Sequence, residues 1–176
     1  MSKSFRLIMT LICFAVGVGS AISFFVAFWP KSTKPITEIN QTYNGSQIKA
    51  TAIDIKAFET PELKKDNQVL VIIGFEIENI SSRKTFPVNS TSYEAYVNDV
   101  SASKNSLYGY SSYLSVSKLA PGKCAKGYWG INVPDGAKKL EIHVDDNSLK
   151  DSSAVFILDI PPVESITPDE YFASID

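Results

Sequence analysis

The sequence predicts an all-β antiparallel sandwich preceded by one N-terminal transmembrane helix, and three observations predict it. Residues 7–29, LIMTLICFAVGVGSAISFFVAFW, carry no charge. From Ile53 to Ile160 apolar side chains recur mostly with period two. Between those runs lie turn signals, among them Asp66-Asn67, Asn98-Asp99, Pro121-Gly122, Pro134-Asp135-Gly136 and Asp146-Asn147, with no long helical period.

The apolar segment comes first in the chain. As a helix it spans roughly 34 Å against a hydrocarbon core of about 30 Å. Lys3 and Arg6 precede it, Trp29 suits the interface, Pro30 ends the helix and Lys31 follows. A cleaved signal peptide is the alternative, and would leave the protein secreted. Its apolar region is about 7–15 residues long and ends at a small-x-small site. Val18-Gly19-Ser20 offers such a site, yet the apolar run continues nine residues beyond it, which argues for an uncleaved anchor. Cys13 follows Thr10-Leu11-Ile12, which lacks the small residue expected before a lipidated cysteine. Lys3 and Arg6 on one side balance Lys31 and Lys34 on the other, so charge alone does not orient the helix. Ala15, Gly19, Ser23 and Ala27 form a stripe of small side chains through which two copies could associate.

Four of the 17 basic residues precede position 35 and none of the 19 acidic ones does, so residues 35–176 carry 13 against 19, a net of −6. A net acidic domain with scattered lysines is a poor partner for nucleic acid. Residues 31–46 are polar, hold Pro35 and lack periodicity, so they read as a linker. Asn40, Asn44, Asn79 and Asn89 stand in formal Asn-x-Ser/Thr glycosylation acceptors; the host that would decide their use is not legible. The expected organisation is an anchor over 1–30, a linker over 31–46, a sandwich over 47–162 and an acidic tail over 163–176.

Within the sandwich, Ile53, Ile55 and Ala57 alternate with Asp54 and Lys56. The run from Val69 to Ile73 is continuously apolar and then alternates through Glu78, so its first half should be buried on both faces. Tyr93-Ala95-Val97, Leu140-Ile142-Val144 and Phe156-Leu158-Ile160 continue the series. Residues 121–136, PGKCAKGYWGINVPDG, read as a central strand: Trp129, Ile131 and Val133 share the core face, and Cys124, Lys126, Tyr128 and Asn132 share the other. Pro121-Gly122 suits a type II turn entering it, and Gly127 and Gly130 leave room for a neighbour. The loop over 59–67 reads as mixed-charge and solvated. Thr167-Pro168-Asp169-Glu170 carries the cap, N1 proline and N3 glutamate of a helix start, with room for at most two turns.

The order of these features is similar to a bacterial family of immunoglobulin-like (Ig-like) sandwich domains of unknown function. They occur on lipoproteins and membrane-anchored surface proteins and resemble an immunoprotective-antigen type of domain. The resemblance covers residues 46–160. It rests on Ile77-Glu78-Asn79 at a turn, the Ser/Thr-rich edge through Tyr93 and Val97, Leu119-x-Pro121-Gly122, Gly127-x-Trp129 to Val133-Pro134, and Leu140-x-Ile142-x-Val144. It implies a location outside the cytoplasmic membrane, with the N-terminus inside. The family offers no catalytic residues to carry over.

Chemistry is sparse. His143 is the lone histidine and lies on the expected solvent face beside Glu141 and Asp145, so a hydrolytic relay lacks its parts. Cys124 has no partner cysteine in the domain and reads as a buried filler rather than a free thiol. Asp145, Asp146, Asn147 and Asp151 lack calcium-loop register, and a solvated turn explains them. Residues 101–113, SASKNSLYGYSSY, have the composition of a binding loop, which makes Tyr108, Tyr110 and Tyr113 the candidate ligand- or partner-contact residues. The expectation is a non-enzymatic binding or scaffolding domain with no cofactor and no metal. It is anchored in the membrane and meets an envelope or surface protein. A surface enzyme and an accessory subunit assembling through its helix are the alternatives.

Overall fold

The chain divides into two units, Met1–Thr33 and Lys34–Asp176. The structure, a computed structural model, describes residues 34–107, 109–146 and 153–175 of the second. The transmembrane helix expected over 7–29, its small-residue stripe, Cys13, Tyr108, Asn147 and Asp151 lie outside the described residues. Among the described residues no helix is long and apolar enough to cross a membrane.

The elements are β1 (Thr42–Asn44), β2 (Ile48–Phe58), α1 (Pro61–Lys65), β3 (Gln68–Asn79), β4 (Phe86–Val88), β5 (Tyr93–Val97), β6 (Val100–Ser101), β7 (Ser103–Asn105), β8 (Val116–Leu119), β9 (Cys124–Pro134), β10 (Lys139–Asp145), β11 (Ser153–Asp159) and α2 (Pro168–Ile175). They form a β-sandwich. One sheet runs β1-β2-β3-β9-β7, the other β11-β10-β5-β6, and β4 with β8 makes a small third sheet. Neighbouring strands within each sheet pair antiparallel.

Period-two burial builds the interior. Trp129, Ile131 and Val133 of β9 are fully buried, as expected. Phe75 packs edge-on against Phe156 at 5.2 Å between ring centroids, which joins the two sheets. Tyr93 stacks on Trp129 at 4.3 Å. Both polar tips are satisfied, with the indole donating to Leu114 O at 3.0 Å and the Tyr93 hydroxyl to Gly130 O at 3.2 Å. Buried aromatic rings of this size each contribute about 1.5–3 kcal/mol by removal from water.

The turns follow their residues. Asn98 and Asp99 both take positive φ, 50° and 63°, in the two-residue hairpin between β5 and β6. Gly122 sits at φ 69° and Lys123 N donates to Ala120 O at 3.1 Å, the type II turn foreseen at Pro121-Gly122. Asn79 ends β3 as a buried hub. Its amide donates to Lys84 O and Leu119 O, both at 2.8 Å, and its carbonyl oxygen accepts from Ser81 N and Oγ. A fully buried amide with both protons engaged is not available as a glycan acceptor.

Several expectations are corrected. The segment read as a linker over 31–46 joins the domain from Lys34 onward. Ile36 is buried and bonds along β11 through Ile36 N to Val155 O and Ile157 N to Ile36 O, while β1 extends the sheet beside β2. Single strand contacts of this kind leave no periodic signature. The loop over 59–67 contains one turn of helix, α1, capped by Thr60 with Pro61 behind it. The alternation of Ile53 with Ile55 is broken by a bulge between Ala52 and Asp54. Ile55 and Ala57 face the core, while Ile53 lies where a side chain on Gly74 would stand.

Candidate functional site

A second, smaller cluster lies apart from the main core. It comprises Phe58, Leu70, Ile72, Leu107, Tyr171 and Phe172, with Tyr110, Tyr113 and Tyr128 packed against it. Leu70 and Ile72 alternate with the core residues Val71 and Ile73, so the cluster occupies the outer face of the five-stranded sheet. The double burial of β3 foreseen in the sequence is therefore real, and α2 with Leu107, Tyr110 and Tyr113 is what covers it.

α2 is set by its predicted capping box. Glu170 N donates to Thr167 Oγ1 at 3.2 Å, and Thr167 N donates to Glu170 Oε2 at 2.7 Å. The Thr167 amide and hydroxyl hold the Glu170 carboxyl below the usual carboxylate range. The helix then drives Tyr171 and Phe172 onto the sheet, and the Tyr171 hydroxyl donates to Asp54 Oδ2 at 2.5 Å. Burial, then the Asp54 bond, push that phenol upward.

One of the candidate tyrosines meets this helix. Tyr110 stacks on Phe172 at 4.2 Å and its hydroxyl donates to Asp169. That bond, aided by burial, pushes the phenol up to about 12, so it stays a donor at neutral pH. Tyr113 bridges Tyr128 in parallel, through Tyr128 N to Ser112 O at 2.8 Å and Leu114 N to Tyr128 O at 3.0 Å. Gly127 permits that approach, because a Cβ there would meet Ser112 O at 2.7 Å. Tyr110 and Tyr113 are both half-buried; Tyr110 packs on this cluster, and Tyr113 lies against both this cluster and the main core. Three of the large exposed apolar side chains, Val163, Ile166 and Ile175, belong to the same C-terminal segment. The sequence signalled the helix start but not its anchoring pair, which only the sheet's outer face defines.

A polar cleft of about 280 Å³ opens on the four-stranded sheet, lined by Thr91, Ser92, Tyr93, Glu94, His143, Asp145 and Ser153. His143 Nε2 lies 2.5 Å from Glu141 Oε1, and the Tyr96 hydroxyl donates to Glu94 Oε2 at 2.5 Å. The register places His143 opposite Glu94 and Glu141 opposite Tyr96. The Ser92 hydroxyl is engaged elsewhere, donating to Pro87 O and accepting from Asn89 N. So titratable groups do gather around His143, and its hydrogen-bond partner there is a carboxylate. Cys124, expected as a buried filler, is exposed: it stands on the outer face of β9 near the strand's start. Partial burial of its sulfur, then the nearby Glu76, push the thiol upward, which keeps it protonated. Asp146, read as part of a solvated turn, is buried. Its carboxylate accepts from Ser46 N, Ser46 Oγ, Gln47 N and Ile48 N at 2.9–3.0 Å.

No protein-family model matches the chain, and no curated protein matches it. Solved structures do. A candidate lipoprotein of Bacillus subtilis, YcdA, superposes with a TM-score of 0.59 at 20% identity, covering 69% of this chain. The chain spans 39% of that protein's length. The YjhA protein of Bacillus subtilis gives a TM-score of 0.54 at 18% identity over 70% of this chain and 100% of its own. An uncharacterized β-sandwich protein of Clostridium difficile gives 0.43 at 15% identity, over 76% and 100%. The likeness is one of fold. The fold shared with YcdA and YjhA agrees with the all-β class read from the sequence.

Proposed function

We propose that this protein is a non-catalytic binding or scaffolding domain of Ig-like type. It is displayed outside the cytoplasmic membrane by a single helix over residues 7–29 and meets an envelope partner through its aromatic outer face. The observation that carries the reading is half-buried Tyr110 stacked on Phe172 of α2, in a C-terminal segment that also exposes Val163, Ile166 and Ile175. A fixed aromatic platform with an apolar rim offers contact area at low entropic cost. Tyr108, close by in the sequence, is a further candidate contact residue of this reading. The fold shared with a candidate lipoprotein supports an envelope location. The Ser92 hydroxyl in the cleft of His143 donates to Pro87 O, which supports a non-catalytic protein. The small-residue stripe would let anchors pair.

Topology and contact are tested together. In a Cys13→Ala variant, Cys124 is the remaining thiol and is exposed. A membrane-impermeant maleimide should label it in intact cells; labelling only after lysis overturns the location. A photo-cross-linker at position 166 should give an adduct that Ile175→Lys suppresses, whereas one at exposed Val100 should give none. Equal adducts from both positions overturn the contact face.

A further inference from the structure

The net acidic sandwich has a basic end. Asn79 gathers it: Lys84 O and Leu119 O accept from its side chain, Lys123 O accepts from its backbone N–H, and Gly122 N donates to its carbonyl. Four cationic side chains on these converging segments, Arg83, Lys84, Lys118 and Lys123, are exposed, and none makes an ion pair among the described residues. Of the carboxylates at the same end, Glu76 is exposed opposite Lys126 and two others are engaged. Glu78 pairs with Lys49 at 3.1 Å, and Asp146 is saturated by the Ser46–Ile48 turn; Asp145 stands across on the other sheet. The opposite end carries Glu59, Glu62, Asp66, Asp99 and Asp135 interspersed with Lys64, Lys65, Lys138 and Lys139, so charges of both signs mix there.

The chain enters the sandwich at the basic end. Asp146 bonds to Gln47 N, and Gln47 O accepts from Ile80 N, so the end of β10 lies with the end of β3. Ile36 runs parallel to β11 opposite Phe156, and β11 starts at Ser153 beside Asp145. Lys34, two residues earlier, therefore lies at this same end.

We infer that the basic end, Arg83, Lys84, Lys118 and Lys123 with Lys34, is a docking surface for anionic phospholipid headgroups of the membrane in which the chain is anchored. The inference rests on the anchor reading above. The stretch from Trp29 to Lys34 reaches at most roughly 18 Å, so the entry end of the domain stays near the headgroups. Within a Debye length of about 8–10 Å each basic side chain is drawn to an anionic surface. The opposite end, where both signs mix, lacks such an attraction, so the domain is oriented on its tether.

The test uses the full-length Cys13→Ala chain with a donor fluorophore on Cys124, next to Lys123. It is reconstituted in vesicles of phosphatidylcholine alone or mixed with phosphatidylglycerol, each with a trace of acceptor lipid. Transfer efficiency should be higher on the anionic vesicles and fall to the neutral value at about 1 M salt, where screening shortens to about 3 Å. The combined Arg83→Glu, Lys84→Glu, Lys118→Glu and Lys123→Glu variant should lose the difference, and single Lys→Gln changes should each weaken docking roughly fivefold. Lys64→Glu with Lys65→Glu, at the opposite end, should not. Equal efficiencies on both vesicles, or a difference that survives in the reversed variant, overturn the inference. Capture of soluble polyphosphate by the basic end without a lipid difference assigns it to a polyanionic polymer, which also overturns it. The anchor reading fails separately, if the chain floats free of neutral vesicles. Salt-sensitive capture by anionic vesicles then still upholds the basic end.

Discussion

At the residue scale, buried polar groups carry the largest single effects. Asp146 holds the β1–β2 turn through four donors, and an amide in its place would turn an N–H₂ toward backbone N–H groups. Asp146→Asn should cost roughly 2–3 kcal/mol in urea unfolding, because charge-assisted bonds are lost and donors are left unpaired. Ser46→Ala, which removes one of the four, should cost less than half as much. Cys124 allows a different measurement. Its thiol is pushed above the ordinary value by burial and by Glu76, so the thiolate is scarcer at neutral pH than in a free thiol. Alkylation of Cys124 should be slower than that of a cysteine peptide at neutral pH. The midpoint of its rate-versus-pH curve should lie to the alkaline side of the peptide's, and coinciding curves would remove this account. The sequence placed Trp129 in the core and His143 on the polar face correctly, since alternation decides both. It misplaced Cys124, because residue type was allowed to outweigh the alternation that already put it beside Lys126.

At the element scale, α2 is too short to persist in isolation and depends on the sheet beneath it. Phe172→Ala should lower stability by about 3 kcal/mol, and the cost should show as dye binding to the uncovered face formed by Phe58, Leu70 and Ile72. A loss well under about 1 kcal/mol would mean that the helix is not docked. The Tyr110–Asp169 bond adds a pH signature. An unfolded tyrosine releases its proton near pH 10 and folded Tyr110 near about 12. Its contribution is therefore complete below about pH 10 and declines as pH rises through about 12. Tyr93 and Tyr171 shift in the same direction by burial. Tyr110→Phe should lose less stability than the parent across this window, measured by denaturant titration at fixed pH steps. The capping box of α2 was legible because it is local. The bulge in β2 and the bridge of Ile36 to β11 were not, because each is defined by a partner distant in sequence.

At the scale of the whole molecule, β3 and β9 pair over eleven positions at the centre of the larger sheet. Their amides should exchange with solvent only through global unfolding, whereas those of residues 109–114 and α2 should exchange through smaller openings. Exchange of α2 as slow as that of β3 would show instead that the two cores open as one unit. Phe172→Ala should speed exchange over Tyr110–Leu114 more than over Leu140–Val144, since only the first segment rests on that helix.

By itself the sequence determined the all-β class, the strands that carry the main core, the tight turns and the start of the last helix. Each follows from periodicity or from a residue's own backbone preference, and those act within a few positions. The tertiary structure alone decided that Lys34 onward belongs to the sandwich, that Tyr110 rests against α2 while Tyr113 bridges Tyr128, that Asp146 is buried, and that four cations separated along the chain share one end with its entry point. Those outcomes depend on long-range pairing, and a pairing between distant strands leaves no trace in the composition of either.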